Sequence, residues 1–203
     1  MTLSRQQAEF ANERIAQSGL ADRCCVKLLD YREIVGPERY DRLVSVGMFE
    51  HVGENRISEY FRRAWDLLRP GGLFLNHGIS FVLPQIPRRG PTFFGSYVFP
   101  DGELVPLSTI LRAAEGAGLE VRDIESLREH YVLTLYHWLW RLEARHHHVL
   151  RIVDEVTYRV WRLYMAAAIH QFETGRTTIY QILFSKPRHG RAELPLTRSD
   201  LYS

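Results

Sequence analysis

Tyr40-Asp41-Arg42-Leu43-Val44-Ser45-Val46-Gly47-Met48-Phe49-Glu50-His51-Val52-Gly53 is the stretch on which the reading of this chain turns. Leu43 to Val46 is a short apolar run introduced by Asp41, the pattern of a buried strand, and Gly47 breaks it just before an acid at Glu50. Downstream, Ile57, Phe61, Ala64 and Leu68 keep helical spacing until Pro70-Gly71-Gly72 ends the helix. Leu73 to Asn76 reads as the next strand, with His77 just beyond it. In an open parallel sheet, ligands bind past the carboxyl ends of the strands, so Glu50 and His77 are expected to face one pocket. An enzyme is therefore the leading expectation.

Upstream, Ser4-Arg5-Gln6-Gln7 reads as a capping box that opens a helix running to Gly19, and Cys25 to Leu29 suits a buried strand. Further on, Gly78 to Pro106 is irregular and rich in proline, which marks a lid or binding loop. Ser108 is placed to cap a short helix to Gly116, and Leu119 to Ile124 makes a strand. Two helices, His130 to Glu143 and Val149 to Phe172, precede a strongly β-prone Thr177 to Phe184. Alternating strands and helices with few hairpin turns predict a doubly wound α/β sheet. Residues 1–186 form one domain in this reading, and 187–203 a polar, loosely held tail.

Composition narrows the classes. The 203 residues suffice for one domain with a substantial core, and 45% apolar content is ordinary for a globular protein. A net charge of +2 makes no case for a nucleic-acid binder, while a mild positive surplus suits an anionic membrane surface. Cys24 and Cys25 are adjacent, which is poor disulfide geometry and fits a reducing cytoplasm, where they read as small buried hydrophobes. No signal peptide and no run of about 18 apolar residues occurs, so any membrane contact is expected to be peripheral.

Five segments together resemble the cyclopropane-fatty-acyl-phospholipid synthases, a family of S-adenosylmethionine-dependent methyltransferases that includes the mycolic acid cyclopropane synthases. They are Thr2-Leu3-Ser4 with Gln7, the VSVGMFEHVG run, the FLNHGI run, Tyr97 to Gly102, and the late helix Tyr164 to Phe172 followed by Tyr180 to Phe184. The resemblance runs from Met1 to about Lys186 and implies a class I methyltransferase-like, Rossmann-like sheet. It also implies a helical lipid-binding insertion before the last strand. No G-x-G turn precedes Thr2, so the chain resembles a member that begins after its first strand and cofactor loop, truncated at its N-terminus. A separately encoded N-terminal segment, a truncation by gene-model or sequencing error, and an inactive remnant that acts as a lipid-binding module are the readings this leaves open.

The resemblance also implies chemistry. Family members transfer the methyl of S-adenosylmethionine to the double bond of a lipid acyl chain and then lose a proton to close a three-membered ring. Bound bicarbonate is thought to serve as the base. Carried over by motif, Glu50, His77, the backbone of Ile79 and Tyr164 would hold the bicarbonate, while the family's cysteine ligand has no counterpart here. Thr2, Leu3 and Gln7 match a segment that touches the cofactor, and Asp30, Tyr31 and Arg32 match the adenine loop. The implied partners are unsaturated phospholipid acyl chains at the inner face of the cytoplasmic membrane, and the implied state includes a homodimer. Phe81 to Tyr97, with Arg88 and Arg89, is expected to form the acyl-chain entrance.

Other residues read more plainly. No metal site is expected: His146-His147-His148 point in different directions on a helix, so they cannot share one ion easily and suit a solvated helix end. Trp138, Trp140 and Trp161 could line an acyl channel, but helical aromatics more often belong to a core.

Overall fold

The computed structural model describes residues 1–83 and 92–202. Arg88 and Arg89 therefore lie outside the described residues. The chain divides into two units, Met1–Pro37 and Glu38–Ser203.

In the first unit, α1 spans Arg5–Gln17, and the Ser4 side chain accepts the Gln7 N–H as its N-cap. The expected reciprocal bond is rerouted through Thr2: its hydroxyl donates to Gln7 Oε1 at 2.7 Å and accepts the Ser4 N–H at 3.1 Å. Thr2 and Leu28 form a single parallel bridge, with Thr2 N–H on Lys27 O at 3.0 Å and Leu29 N–H on Thr2 O at 3.1 Å. The buried strand expected over Cys25 to Leu29 is thus reduced to one bridge, and Cys24, Cys25 and Leu28 are exposed. A strand persists only along a ladder of partners, and within this unit Thr2 supplies one rung. Asn12 holds the segment instead, donating to Val26 O and accepting from Val26 N–H at 2.9 and 2.8 Å.

In the second unit a four-stranded sheet is formed by β1 (Tyr40–Val46), β2 (Leu68–Phe81), β3 (Glu120–Ser126) and β4 (Thr177–Ser185), in the order β1-β2-β4-β3. Between them run α2 (Ile57–Leu67), the short α3 (Phe93–Tyr97), α4 (Leu107–Gly116), α5 (Arg128–Ala144), the single turn α6 (His146–Val149) and α7 (Glu155–Glu173). β1 and β2 are parallel, as an α/β crossover requires, whereas β4 is antiparallel to both its neighbours. The cause lies in α5 and α7, which pack on each other and carry the chain out from β3 and back. β4 therefore starts at the end where β3 finishes and must run the other way. The fold is mixed α/β as expected, with this one reversed strand.

Boundaries moved for local reasons. Instead of starting at Leu73, β2 begins at Leu68, directly after α2, because Pro70 to Gly72 bulge within the strand: Tyr40 pairs Leu68 and Arg42 pairs Leu73. Ser108 does not cap α4; Pro106 holds the N-cap position, where its preset φ suits the entry, and no side chain closes the cap.

The sheet is covered unequally. Phe74, Asn76, Gly78 and Ser80 of β2 alternate onto one buried face, the period-two pattern of a strand. There Phe61 of α2 packs on Phe74 and Phe184, with ring centroids 6.2 and 5.5 Å away. Tyr60 donates to Asn76 Oδ1 at 2.7 Å within the same layer, which supplies part of what a buried amide needs. Elsewhere Leu135, Tyr164, Ala168, Ile169 and Phe172 of the α5–α7 pair close on Ile179 of β4, with Ile79 of β2 packed against them. Beyond β4, Ala192 is buried and Arg198 pairs with Asp123 at 2.6 Å, which ties the polar tail to β3. Among the described residues no helix is long and apolar enough to cross a membrane.

Candidate functional site

Gly47 makes the site. Its φ of +63° is the left-handed conformation, and it turns the chain out of β1 after a last backbone bond from Gly47 N–H to His77 O at 2.9 Å. The chain then enters a 3-10 turn, Phe49–His51, whose Phe49 is fully buried. Phe49 lies flat against β2 because Gly78 has no side chain: a Cβ there would stand 2.0 Å from the Phe49 ring and 3.0 Å from Glu50 Oε1. That close approach delivers Glu50 to the strand, where its Oε1 accepts the Ile79 N–H at 2.9 Å. Among the described residues the second carboxylate oxygen, Oε2, is buried without a partner, and the whole residue is 9% exposed. Burial pushes the Glu50 carboxyl up from its ordinary pKa, against the Ile79 N–H and the nearby His51, which pull it down.

His77 and Ile79 lie two apart on β2 and so share a face. The Nδ1 of His77 is also buried without a partner among the described residues, and burial holds the imidazole below its usual pKa, which favours the neutral ring. Tyr164, on α7, is buried among Phe94, Phe99 and Trp161, with ring centroids 5.4, 5.6 and 5.5 Å away, all edge-on. Burial first, and then neighbouring Tyr131, push its phenol up to about 12, so it is a committed donor at neutral pH. Phe99 joins the two parts of the site, with His51 on one side at 6.1 Å and Tyr164 on the other. Among the described residues, Glu50 makes no direct hydrogen bond to His77 or Tyr164.

Sequence reasoning passed over Tyr131. This residue, in the first turn of α5, packs against the Tyr164 cluster. Its phenol is raised by burial and by the negative charge of Glu50, so the Glu50 field reaches it. Nothing in its local sequence singles it out. It reads as one more apolar-face position of a helix, and only the fold brings it within range of the acid's charge.

The residues of the first unit gather at one end of its bridge. Because Thr2 and Leu28 pair in parallel, the chain leaves both in the same direction, toward α1 on one side and Asp30-Tyr31-Arg32 on the other. Thr2 and Gln7 are hydrogen-bonded, while Leu3 is exposed. Asp30 accepts from Arg32 through its backbone N–H at 2.9 Å and its guanidinium at 2.6 Å, and the Arg32 guanidinium also lies 5.9 Å from the Tyr31 ring centroid.

Three other groups found different places. His146 pairs with Glu155 at 3.3 Å and stacks on Tyr158, and His148 Nδ1 meets Arg151. Cys24 and Cys25 are exposed rather than buried, since their segment lacks the strand that would have covered them. Trp138, Trp140 and Trp161 are 40%, 66% and 41% exposed; Trp138 lies edge-on to Tyr131 and Trp161 edge-on to Tyr164, so these two flank the cluster of Leu135, Tyr164 and Ala168, and Trp140 is the most exposed of the three.

A parallel strand pair lengthened by a reversed strand, with a buried acid past the end of its first strand, is the fold of the class I S-adenosylmethionine-dependent methyltransferases. Comparison with solved structures agrees: the mycolic acid cyclopropane synthase CmaA1, complexed with SAH and CTAB, superposes with a TM-score of 0.82 at 28% identity, over 90% of this chain and 67% of that one. The cyclopropane synthase MmaA2 of Mycobacterium tuberculosis gives 0.80 at 26% identity, again over 90% and 67%. A Pseudomonas putida protein named probable fatty acid methyltransferase is 43% identical over 206 residues, which is 100% of this chain and 52% of that one. A Mycobacterium tuberculosis protein of the same name is 36% identical, over 96% and 46%. The pattern of the mycolic acid cyclopropane synthetase family matches residues 1–182, and the chain belongs to that family. It spans about half the length of these two relatives.

Proposed function

We propose that this chain carries the acid-bearing part of an S-adenosylmethionine-dependent methyltransferase that acts on the double bond of an unsaturated phospholipid acyl chain at a membrane surface. The observation that carries this is Glu50: a buried carboxylate registered to the sheet by one oxygen and, among the described residues, left without a partner at the other, in a chain of this family. When bound, S-adenosylmethionine supplies the methyl group and bicarbonate supplies the base that receives the proton lost afterwards.

The residues fit those two groups. A small buried anion needs several directed hydrogen bonds to offset its desolvation. Tyr164 is a phenol that stays protonated, His77 brings an unpartnered ring nitrogen, and Glu50 Oε2 can accept a proton from a hydroxyl. Burial raises the Glu50 carboxyl above its ordinary pKa, which suits a group that takes up a proton during turnover. In the first unit, Thr2, Leu3, Gln7, Asp30, Tyr31 and Arg32 would hold the cofactor, with the Tyr31 ring available for stacking on adenine and Asp30 for its amino group. A peripheral seat at the inner face of the cytoplasmic membrane is part of the same proposal, since the acyl chains to be modified lie in a bilayer.

The test is incubation of the intact protein with S-adenosylmethionine and vesicles of unsaturated phospholipid, followed by mass spectrometry of the acyl chains. Addition of one CH2 or one methyl branch per modified chain is expected. Glu50→Gln should keep cofactor binding and slow turnover by roughly a hundredfold, the scale of a lost acid-base group. Vesicle binding with no modified acyl chain would favour a lipid-binding module instead.

A further inference from the structure

Glu103 has no role in the site as described, yet it meets the loop that carries Glu50 at two points. Its backbone N–H donates to Glu50 O at 2.8 Å, and its carboxylate Oε2 accepts the Glu54 N–H at 3.1 Å. Glu54 opens a 3-10 turn, Glu54–Arg56, that runs directly into α2. The N-cap of that turn is Gly53, which has no side chain to offer. The first N–H groups of a helix need an outside acceptor, and a negative group suits that end. Glu103 supplies it from a distant part of the chain.

We propose that Glu103 is a positioning residue that fixes Glu50 by clamping residues 50–54 at both ends. Two further features fit this role. Gly53 has φ +77°, and a Cβ there would stand 2.6 Å from Glu103 Oε2, so the glycine makes room for the clamp as well as for the turn. Glu103 is itself anchored: Val105, two residues on, is 2% exposed, and Pro106 bridges in parallel to Phe81 at the end of β2. The Glu50 carboxylate is thus held to β2 through Ile79, and its backbone is held to the segment that docks at the end of the same strand.

The inference rests on the reading of Glu50 as the working acid, and the experiment separates the two. Amide hydrogen exchange is followed by NMR in the full chain for Glu54 and Ile79, with Ile182 and Phe184 of the sheet core as internal controls. Glu103→Ala is expected to speed exchange at Glu54 and Ile79 by about fivefold, the scale of one hydrogen bond lost, with the core amides unchanged. Glu103→Gln keeps a carbonyl oxygen for Glu54 N–H and should stay near the unmodified rate. In the turnover assay Glu103→Ala should lower kcat by about the same factor at unchanged KM, and Glu103→Gln should restore it. Unchanged exchange in Glu103→Ala, or acceleration shared equally by the core amides, overturns the proposal. Faster local exchange in a chain without turnover supports the clamp and counts against the catalytic reading instead.

Discussion

Glu50 Oε1 and the Ile79 N–H, 2.9 Å apart, complete a hydrogen-bond row that strand β1 abandons at Gly47. The last backbone rung is Gly47 N–H to His77 O. Two residues further along β2 the next donor on that side is Ile79, and a carboxylate takes the place of a strand carbonyl. The acid therefore inherits the precision of the sheet, although its residue sits in a turn. The same bond lowers the cost of burying the charge, because a carboxylate that accepts a backbone N–H loses less on leaving water.

This geometry makes Gly78 and Gly47 unequal. Gly78→Ala puts a Cβ 2.0 Å from the Phe49 ring, which is fully buried and cannot swing aside. The expected cost is about 1–3 kcal/mol, the range of overpacked cores, together with displacement of Glu50 from Ile79. Gly47→Ala meets nothing within 4 Å and pays only for its left-handed φ, about 1 kcal/mol. Urea melts of the two variants check the order, and equal costs would mean that Phe49 yields.

Glu50 should also leave a mark on stability against pH. Its folded pKa is raised above the ordinary 4.5, so below that value both folded and unfolded forms are protonated and nothing is lost. As pH rises, the unfolded chain ionises first, and the folded state loses stability until pH passes the raised value. Glu50→Gln, which can still accept the Ile79 N–H, should therefore be more stable than the unmodified chain at neutral pH. The advantage should vanish in acid near pH 4. A gap that does not change with pH would show that burial does not set this carboxyl.

Much of this was legible in the sequence because it is periodic or local. The helix over α2 follows from Ile57, Phe61 and Ala64, and the acid past a strand end follows from Gly47 breaking an apolar run. What escaped depends on partners far along the chain. Cys25 to Leu29 has the composition of a strand but only Thr2 to pair with in its unit, so it stays a bridge. The reversed β4 is invisible in its own residues, since Thr177 to Ser185 would suit either direction, and the returning α5–α7 pair decides it. Tyr131 joined the site for a similar reason: a field from Glu50 has no signature in the residues around it.

That field is measurable. Tyr131 is raised by burial and then by the negative Glu50, and Tyr164 is raised to about 12 by burial and then by Tyr131. In Glu50→Gln the negative charge is gone before any phenol titrates. Tyr131 should then ionise at lower pH than in the unmodified chain, while Tyr164, raised by burial and by Tyr131, should remain the late one. Carbon NMR of the tyrosine Cζ resonances, assigned through Tyr131→Phe and Tyr164→Phe, distinguishes them. A Tyr131 titration indifferent to Glu50→Gln would place the phenol out of reach of the carboxylate.

The last expectation concerns what holds the helix behind this loop. Lys186, 7% exposed, sends its ammonium into the C-terminal end of α2, donating to Leu68 O at 2.9 Å and Trp65 O at 3.1 Å and lying 4.8 Å from the Trp65 ring centroid. Carbonyls at a helix C-terminus lack intrahelical donors and carry the negative end of the dipole, so a cation there meets both needs. Lys186→Ala would strand two carbonyls and open a small cavity, at an expected cost of about 2–4 kcal/mol. Glu38, 3.5 Å from the same ammonium but half exposed, contributes far less, and Glu38→Gln should cost under about 1 kcal/mol. Denaturant midpoints at constant slope test the contrast. If Glu38→Gln costs as much as Lys186→Ala, the ion pair and not the helix end is what the lysine serves.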